Sequence, residues 1–279
     1  MTVRIVTDSS CDLPQELADS WDIEIVPLSI SFGDTEYIDR TTITGEEFWK
    51  KCAESSELPQ TAAPSPGAFK NAYDKVSAGG TTDIVVISLS GELSATFQNA
   101  QHGAKEYTGS ASVHVIDSRT ATMGLGLLVL EAAAMARGGA MASEIVTRIN
   151  SMIPRVRVFG ALDTLENLKK GGRIGGAKAL LANALSIKPI VAVQNGLVEE
   201  AGKQRTRSKA LAFLIEKLTE NDGKIERLAV LHAQCGDVDA FMSMVKDVYK
   251  HEVTVGDIGA VIGTHAGEGT IGVAFIVAQ

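Results

Sequence analysis

Arg173 is the side chain whose surroundings say most about its use. It follows the run Leu165, Glu166, Asn167, Leu168, Lys169, Lys170, Gly171, Gly172. Leu165 and Leu168 give one apolar side at i, i+3 spacing, Lys169 and Lys170 fall in a last turn where cations suit the helix dipole, and Gly171 can take a left-handed cap. A guanidinium leaving such a corner is held in place, and its planar fork of donors, always charged, suits a carboxylate or a phosphate. A helix end with its arginine in solvent has the same pattern. Three other polar stations stand where elements end: Thr61 with Pro64 and Ser65, Ser90 with Ser94 and Thr96, and His265 between Gly263 and Gly267. The hydroxyls can serve a ligand or merely cap and turn the chain. The glycines around His265 present an imidazole to a ligand or leave it for a structural hydrogen bond. Arg205, just before a helix cap at Thr206, also reads as part of a solvated charge run. Asp8, Ser9 and Ser10 form a short pattern similar to an aspartyl phosphotransfer loop.

These residues need a scaffold, and the first half supplies alternating strands and helices. Val3 to Thr7 reads as a buried strand, Asp8 to Pro14 as a turn and helix start, and Ile23 to Phe32 as a strand broken by Pro27. Thr44 with Glu47 makes a capping box for a helix to about Cys52. Glu57 to Pro66, with three prolines and no periodicity, reads as a loop. A strand over Asp83 to Ser88, a helix from about Glu92, a strand over Val113 to Ile116 and a helix over Met123 to Ala136 complete an α/β layout with a mostly parallel sheet. Ligands of open α/β sheets gather at the carboxyl ends of strands, where Ser90 and Ser94 fall.

Beyond a helix near Glu144 to Ile153 the pattern changes. Strands are expected over Val156 to Leu162, Ile187 to Val193, Leu228 to His232 and Ile271 to Ala278, with helices near Thr206 to Leu218 and Val238 to Tyr249. Asn195-Gly196 signals a two-residue hairpin, hence a mixed sheet. We place a domain boundary at 155, with an N-terminal α/β domain over 1–155 and a C-terminal α+β domain over 156–279.

Composition excludes several functions. The 279 residues are 45% hydrophobic and 22% charged, as in globular proteins with a sizeable core. A formal net charge of −8 disfavours nucleic acid and limits membrane contact to a transient one. Met1 to Asp8 hold one arginine and no signal-like apolar stretch, and no run long enough to span a bilayer follows, so the cytoplasm is the expected location. Cys11, Cys52 and Cys235 show no C-x-x-C spacing, and His102, His114, His232, His251 and His265 do not pair at ligand spacing, so no metal is expected. Gly171 and Gly176 are spaced like P-loop glycines, but Ala177 precedes Lys178 and no Ser or Thr follows. No G-x-S-x-G elbow occurs.

Taken in order, these segments resemble the DegV family of bacterial fatty-acid-binding proteins, the carrier subunits of a two-component fatty acid kinase. The likeness runs from Thr7-Asp8-Ser9-Ser10 to the end of the chain. It includes Val26-Pro27-Leu28, Thr61 with Pro64-Ser65, Leu93-Ser94-Ala95-Thr96-Phe97-Gln98, Asp117-Ser118 with Met123-Gly124-Leu125-Gly126, Leu168 to Ile174, Ile187-Lys188-Pro189-Ile190, Arg205-Thr206 and Gly263-Thr264-His265. The resemblance implies two α/β-type domains enclosing one long-chain fatty acid, its carboxylate held by Thr61 and Ser94, with Arg173, Arg205 and His265 near the head group. It implies no cofactor, and a separate ATP-dependent kinase subunit that makes an acyl phosphate for phospholipid synthesis, this chain being the non-enzymatic carrier. Ala95 stands where the family usually has glycine and Ala62 where serine is common; the methyl of Ala95 is expected to tighten the loop or shift Ser94. Two other functions stay open, an autonomous phosphatase or phosphotransferase using Asp8 or His265, and a lipid-sensing regulator.

Overall fold

The computed structural model describes residues 2–279, with 182–186 described by their backbone. The first sheet is parallel throughout, in the order β2 (Ile23–Val26), β1 (Val3–Asp8), β6 (Asp83–Ser88), β7 (Ser112–Asp117). Its strands are apolar on both faces because helices cover both. Along β6, Ile84 and Val86 meet Phe69 and Tyr73 beneath α3 (Pro66–Ser77) and α4 (Thr96–Glu106), while Val85 and Ile87 face the opposite core. That opposite core is filled by α5 (Thr122–Arg137) and α6 (Ala142–Met152).

A six-stranded mixed sheet follows in the order β10 (Leu197–Gln204), β9 (Lys188–Gln194), β8 (Val156–Ala161), β13 (Ile271–Val277), β11 (Ile225–His232), β12 (Val253–Asp257). Only β11 and β12 run parallel. Period two again divides its side chains. Leu228 and Val230 of β11 pack with Leu214 of α8 (Arg207–Thr219) and Phe241 of α9 (Val238–Val248), while Ala229 and Leu231 turn to the core containing α5. The expected hairpin at Asn195-Gly196 is present, with φ of 51° and 86°, the left-handed pair a two-residue turn requires.

A third sheet is small and antiparallel: β4 (Thr35–Ile38), β3 (Ser29–Phe32), β5 (Gln60–Ala62). The expected single strand from Ile23 to Phe32 is therefore two strands in two sheets, because Pro27 lacks the N–H to continue a ladder. The expected loop from Glu57 to Pro66 contains β5, whose Thr61 lies opposite Ile30. Helix α1 (Gln15–Ser20) and helix α2 (Gly45–Glu54) precede it, the latter with the Thr44 and Glu47 capping box in place. The helix expected from about Glu92 begins at Thr96, after a turn closed by Ser94 N–H donating to the Ser90 carbonyl at 3.2 Å. Two short helices complete the set, α7 (Glu166–Lys170) and α10 (Ala260–Ala266). Among the described residues no helix is long and apolar enough to cross a membrane.

Candidate functional site

The corner before Arg173 is a helix stop built by backbone hydrogen bonds. Arg173 N–H donates to the Leu168 carbonyl at 3.0 Å and Gly172 N–H to that of Lys169 at 3.2 Å, the paired bonds of a Schellman motif. The left-handed residue is Gly172, at φ 72°, and not Gly171, which keeps φ −74°. Gly171 has a different duty. A Cβ there would overlap His265 Nδ1 and lie 2.9 Å from Cε1, so the missing side chain is the space the imidazole occupies. Arg173 is exposed, but it is not loose in solvent: Nε donates to the Leu93 carbonyl at 3.1 Å and Nη1 to that of Gly171 at 2.8 Å. It thereby ties α7 to the turn that carries Ser94.

His265 lies in the last turn of α10 and is largely buried, on a helix where its flanking glycines suggest a turn. Gly263 serves packing: a Cβ there would come 2.7 Å from the Trp49 ring. His265 Nε2 is 2.9 Å from Thr61 Oγ1. Burial, reinforced by the Arg173 charge, brings the His265 pKa down to about 4, so the ring is neutral at pH 7. Its Nδ1 is buried and has no hydrogen-bond partner among the described residues. An orphaned donor costs more than an orphaned acceptor, so the proton belongs on Nε2, where it is donated to Thr61. The Thr61 hydroxyl hydrogen is then free to be donated elsewhere.

Ser94 Oγ is 2.8 Å from Thr96 Oγ1 and accepts from Thr96 N–H at 3.3 Å. Ala95 adopts φ −71° and ψ 1°, open to any residue, so its methyl imposes no backbone strain on the Ser94 turn. Ala62 is exposed on β5. Ser90 is structural: its hydroxyl donates to the Gly196 carbonyl at 2.8 Å, pinning the turn to the β9–β10 hairpin.

Thr61, Ser94, Arg173 and His265 all border one cavity of about 230 Å³, whose remaining walls are mostly aliphatic, among them Leu28, Val158, Val191, Leu231 and Val261. The two other hydroxyls among its described lining residues are committed, Thr122 to Asp12 at 2.6 Å and Thr270 to the Ala266 carbonyl at 2.9 Å. Outside lies a polar cleft of about 500 Å³ bordered by Gln60, Asn167 and Lys170, which shares Thr61, Arg173 and His265 with the cavity. The shared residues mark where an apolar interior meets a polar mouth. Arg205 does not join them: it is exposed after β10 and lines neither space. The engaged arginine of that run is Arg207, which pairs with Asp237 at 2.9 Å.

Asp8 is fully buried and accepts from Ser10 N–H, Ser10 Oγ, Ser88 Oγ and Leu89 N–H. Burial outweighs these bonds and pushes its pKa up. A carboxylate so enclosed braces the end of β1 and offers no oxygen to a phosphoryl donor. Among the described residues no group of three or more His, Cys, Asp or Glu side chains is placed to hold a metal ion.

The family model for DegV, described as an uncharacterised protein family, matches residues 2–278. A DegV domain-containing protein of Deinococcus radiodurans is 35% identical over 280 residues, covering 98% of each chain. A DegV family protein from Thermus thermophilus, solved in a study of its fatty acid binding, is 32% identical with a TM-score of 0.92 over 99% of this chain and 100% of that one. The crystal structure of DegV from Bacillus subtilis, a fatty acid binding protein, is 28% identical with a TM-score of 0.90 over 99% of both chains. A match along nearly the whole sequence, on the same fold, makes this chain a member of the DegV family.

Proposed function

We propose that the cavity encloses one long-chain fatty acid between domains 1–155 and 156–279, with the carboxylate at Thr61 and Ser94. The observation that carries this reading is the division of polarity along the cavity, aliphatic inside and bordered at its mouth by the Thr61 hydroxyl, a neutral imidazole and a guanidinium, with the Ser94 hydroxyl also on its wall. Relatives of the same fold bind fatty acids. Burying an acyl chain gains roughly 0.8 kcal/mol per CH₂, on the order of 10 kcal/mol gross for a long chain, so the head needs few contacts. Neutral hydroxyls donate to a carboxylate and leave an oxygen lone pair for chemistry. A bidentate arginine would occupy both oxygens, whereas two of Arg173's donors are committed to carbonyls.

The exposed mouth suits presentation to a second protein. In this reading a separate ATP-dependent kinase supplies nucleotide and magnesium, and a carboxylate oxygen attacks the γ-phosphorus of ATP. A carbonyl C–O–P linkage forms, the bond from phosphorus to the ADP oxygen breaks, and ADP departs. Arg173 meets the added negative charge as the phosphoryl group arrives. The acyl phosphate then feeds phospholipid synthesis, and the carrier works in the cytoplasm with at most transient membrane contact. Mass spectrometry of an organic extract of the purified protein tests the first step, and a long-chain fatty acid in about equimolar amount is the expected result. An extract without one, from protein that also fails to bind added fatty acid, would refute the reading. Acyl phosphate formed by this chain alone with ATP would replace the carrier with an autonomous enzyme.

A further inference from the structure

Asp12 touches none of the groups at the mouth, yet it joins two walls of the cavity. It follows β1 with a left-handed backbone, φ 51°, and is buried. Its Oδ2 accepts from Thr122 Oγ1 at 2.6 Å, the first residue of α5 and itself a lining residue. Its Oδ1 accepts from Gly259 N–H at 3.0 Å, the residue that starts α10. Helix α10 then presents Val261, Ile262 and His265 to the cavity. Its own last turn continues through Gly267 N–H to the Gly263 carbonyl, but its first turn is fastened to the body of the protein by this carboxylate.

We propose that Asp12 is a positioning residue that sets how fast a bound fatty acid leaves, by clasping the start of α10 to the start of α5 while it is charged. The inference rests on the reading that the cavity holds such an acid. The charged form is the stronger clasp because hydrogen bonds to an ionised acceptor are roughly twice as strong as neutral ones. A proton on Oδ2 can be donated back to a turned Thr122 hydroxyl, but Gly259 N–H then faces a neutral carbonyl oxygen. The grip on α10 weakens while the fold keeps its hydrogen-bond count.

The clasp is placed to change state under ordinary conditions. Burial raises the Asp12 pKa to about 7, Asp39 adds to the rise, and Thr122, Gly259 N–H and the Arg40 guanidinium oppose it. Asp8 and the Cys11 thiol share its own segment; both are pushed up by burial, Cys11 to about 12. From α5 and α10 no carboxylate or cation takes part in its shift; the titratable group of α10 is His265, at the other end, which changes charge near pH 4.

Release is followed with a fluorescent polyunsaturated fatty acid, loaded on the full-length protein and captured by excess phosphatidylcholine vesicles, between pH 6 and 8.5. The wild type should release severalfold faster at pH 6 than at pH 8.5. Asp12→Asn, whose amide imitates the neutral clasp and tolerates the left-handed backbone, should release at the fast rate throughout. Thr122→Ala removes a donor that favours the charged form and should move the midpoint to higher pH, which serves if the asparagine variant does not fold. An Asp12→Asn protein that keeps the wild-type pH dependence, or a Thr122→Ala midpoint that stays put, overturns the clasp. A wild-type protein that never takes up the probe refutes the fatty-acid reading instead.

Discussion

Gly171→Ala isolates the contact between the imidazole and Thr61. The backbone of Gly171, at φ −74° and ψ −7°, accepts alanine without strain, and alanine at a helix end is no worse than glycine. The new Cβ overlaps the His265 ring, and on its other side lies the Asn167 carbonyl at 3.0 Å. That carbonyl accepts from Gly171 N–H at 2.8 Å and belongs to the helix, so the ring is what moves. Displacement breaks the 2.9 Å bond to Thr61, a net loss of about 0.5 to 1.5 kcal/mol. If the imidazole aims the Thr61 hydroxyl at the carboxylate, affinity for a long-chain fatty acid falls roughly two- to twelvefold. Calorimetric titration of delipidated protein measures this directly, with His265→Ala and the double variant as partners in a cycle. Both substitutions remove the same bond, so the double variant should bind no more weakly than His265→Ala alone. Wild-type affinity in Gly171→Ala, or additive losses in the cycle, would refute the assigned role of His265.

Three further outcomes follow from the same geometry. Thr61→Ala and Ser94→Ala should each weaken binding by about 0.5 to 2 kcal/mol, read by the same titration; unchanged affinity in both singles and the double would remove these hydroxyls from the site. Arg173→Ala should retain its fatty acid by mass spectrometry yet lose about tenfold to a thousandfold in acyl-phosphate turnover with the kinase, whereas equal loss of both would make Arg173 part of the fatty-acid site or of the fold. His265, with its pKa lowered to about 4, refuses a proton that the unfolded chain binds below about pH 6.5, so its contribution to stability is lost as pH falls through that window. Denaturant titrations at pH 7 and pH 4.5 should therefore show His265→Gln losing less stability on acidification than the wild type, and an equal loss would place the histidine in water.

How far the sequence revealed this site depended on whether the signal was local. The helix stop before Arg173 was legible from leucine spacing, lysines and glycines, but two adjacent glycines do not say which turns left-handed; that follows from where the Leu168 and Lys169 carbonyls find their donors. Strand β5 was hidden because three residues carry no periodicity and their partner, β3, lies far upstream. Helix α10 was hidden because Gly263 looked like turn chemistry, when it makes room for Trp49. Helix α3 carried a readable start, Ser65 capping Ala68 N–H with proline next, inside a stretch whose prolines suggested only a loop. The alternation of sheet and helix, the hairpin and the change to a mixed sheet near residue 156 were legible because each rests on neighbours in the chain. Asp12 gave no sign, since both of its partners come from distant segments.

Helix α5 has a meaning for how the molecule comes apart. Leu125, Leu127, Leu128 and Val129 are all within 1% of complete burial, and the core they fill also takes Val85 and Ile87 from the parallel sheet and Ala229, Leu231 and Ala274 from the mixed one. A helix whose first nine residues, Thr122–Leu130, are all buried cannot stand as the outer wall of either half. Cut after residue 155, the proposed boundary, the N-terminal fragment would expose one flank of α5 and the C-terminal fragment would uncover one face of its sheet. The intact chain should accordingly melt in a single cooperative transition, and a ligand gripped at the mouth should lift the melting temperature of both sheets together.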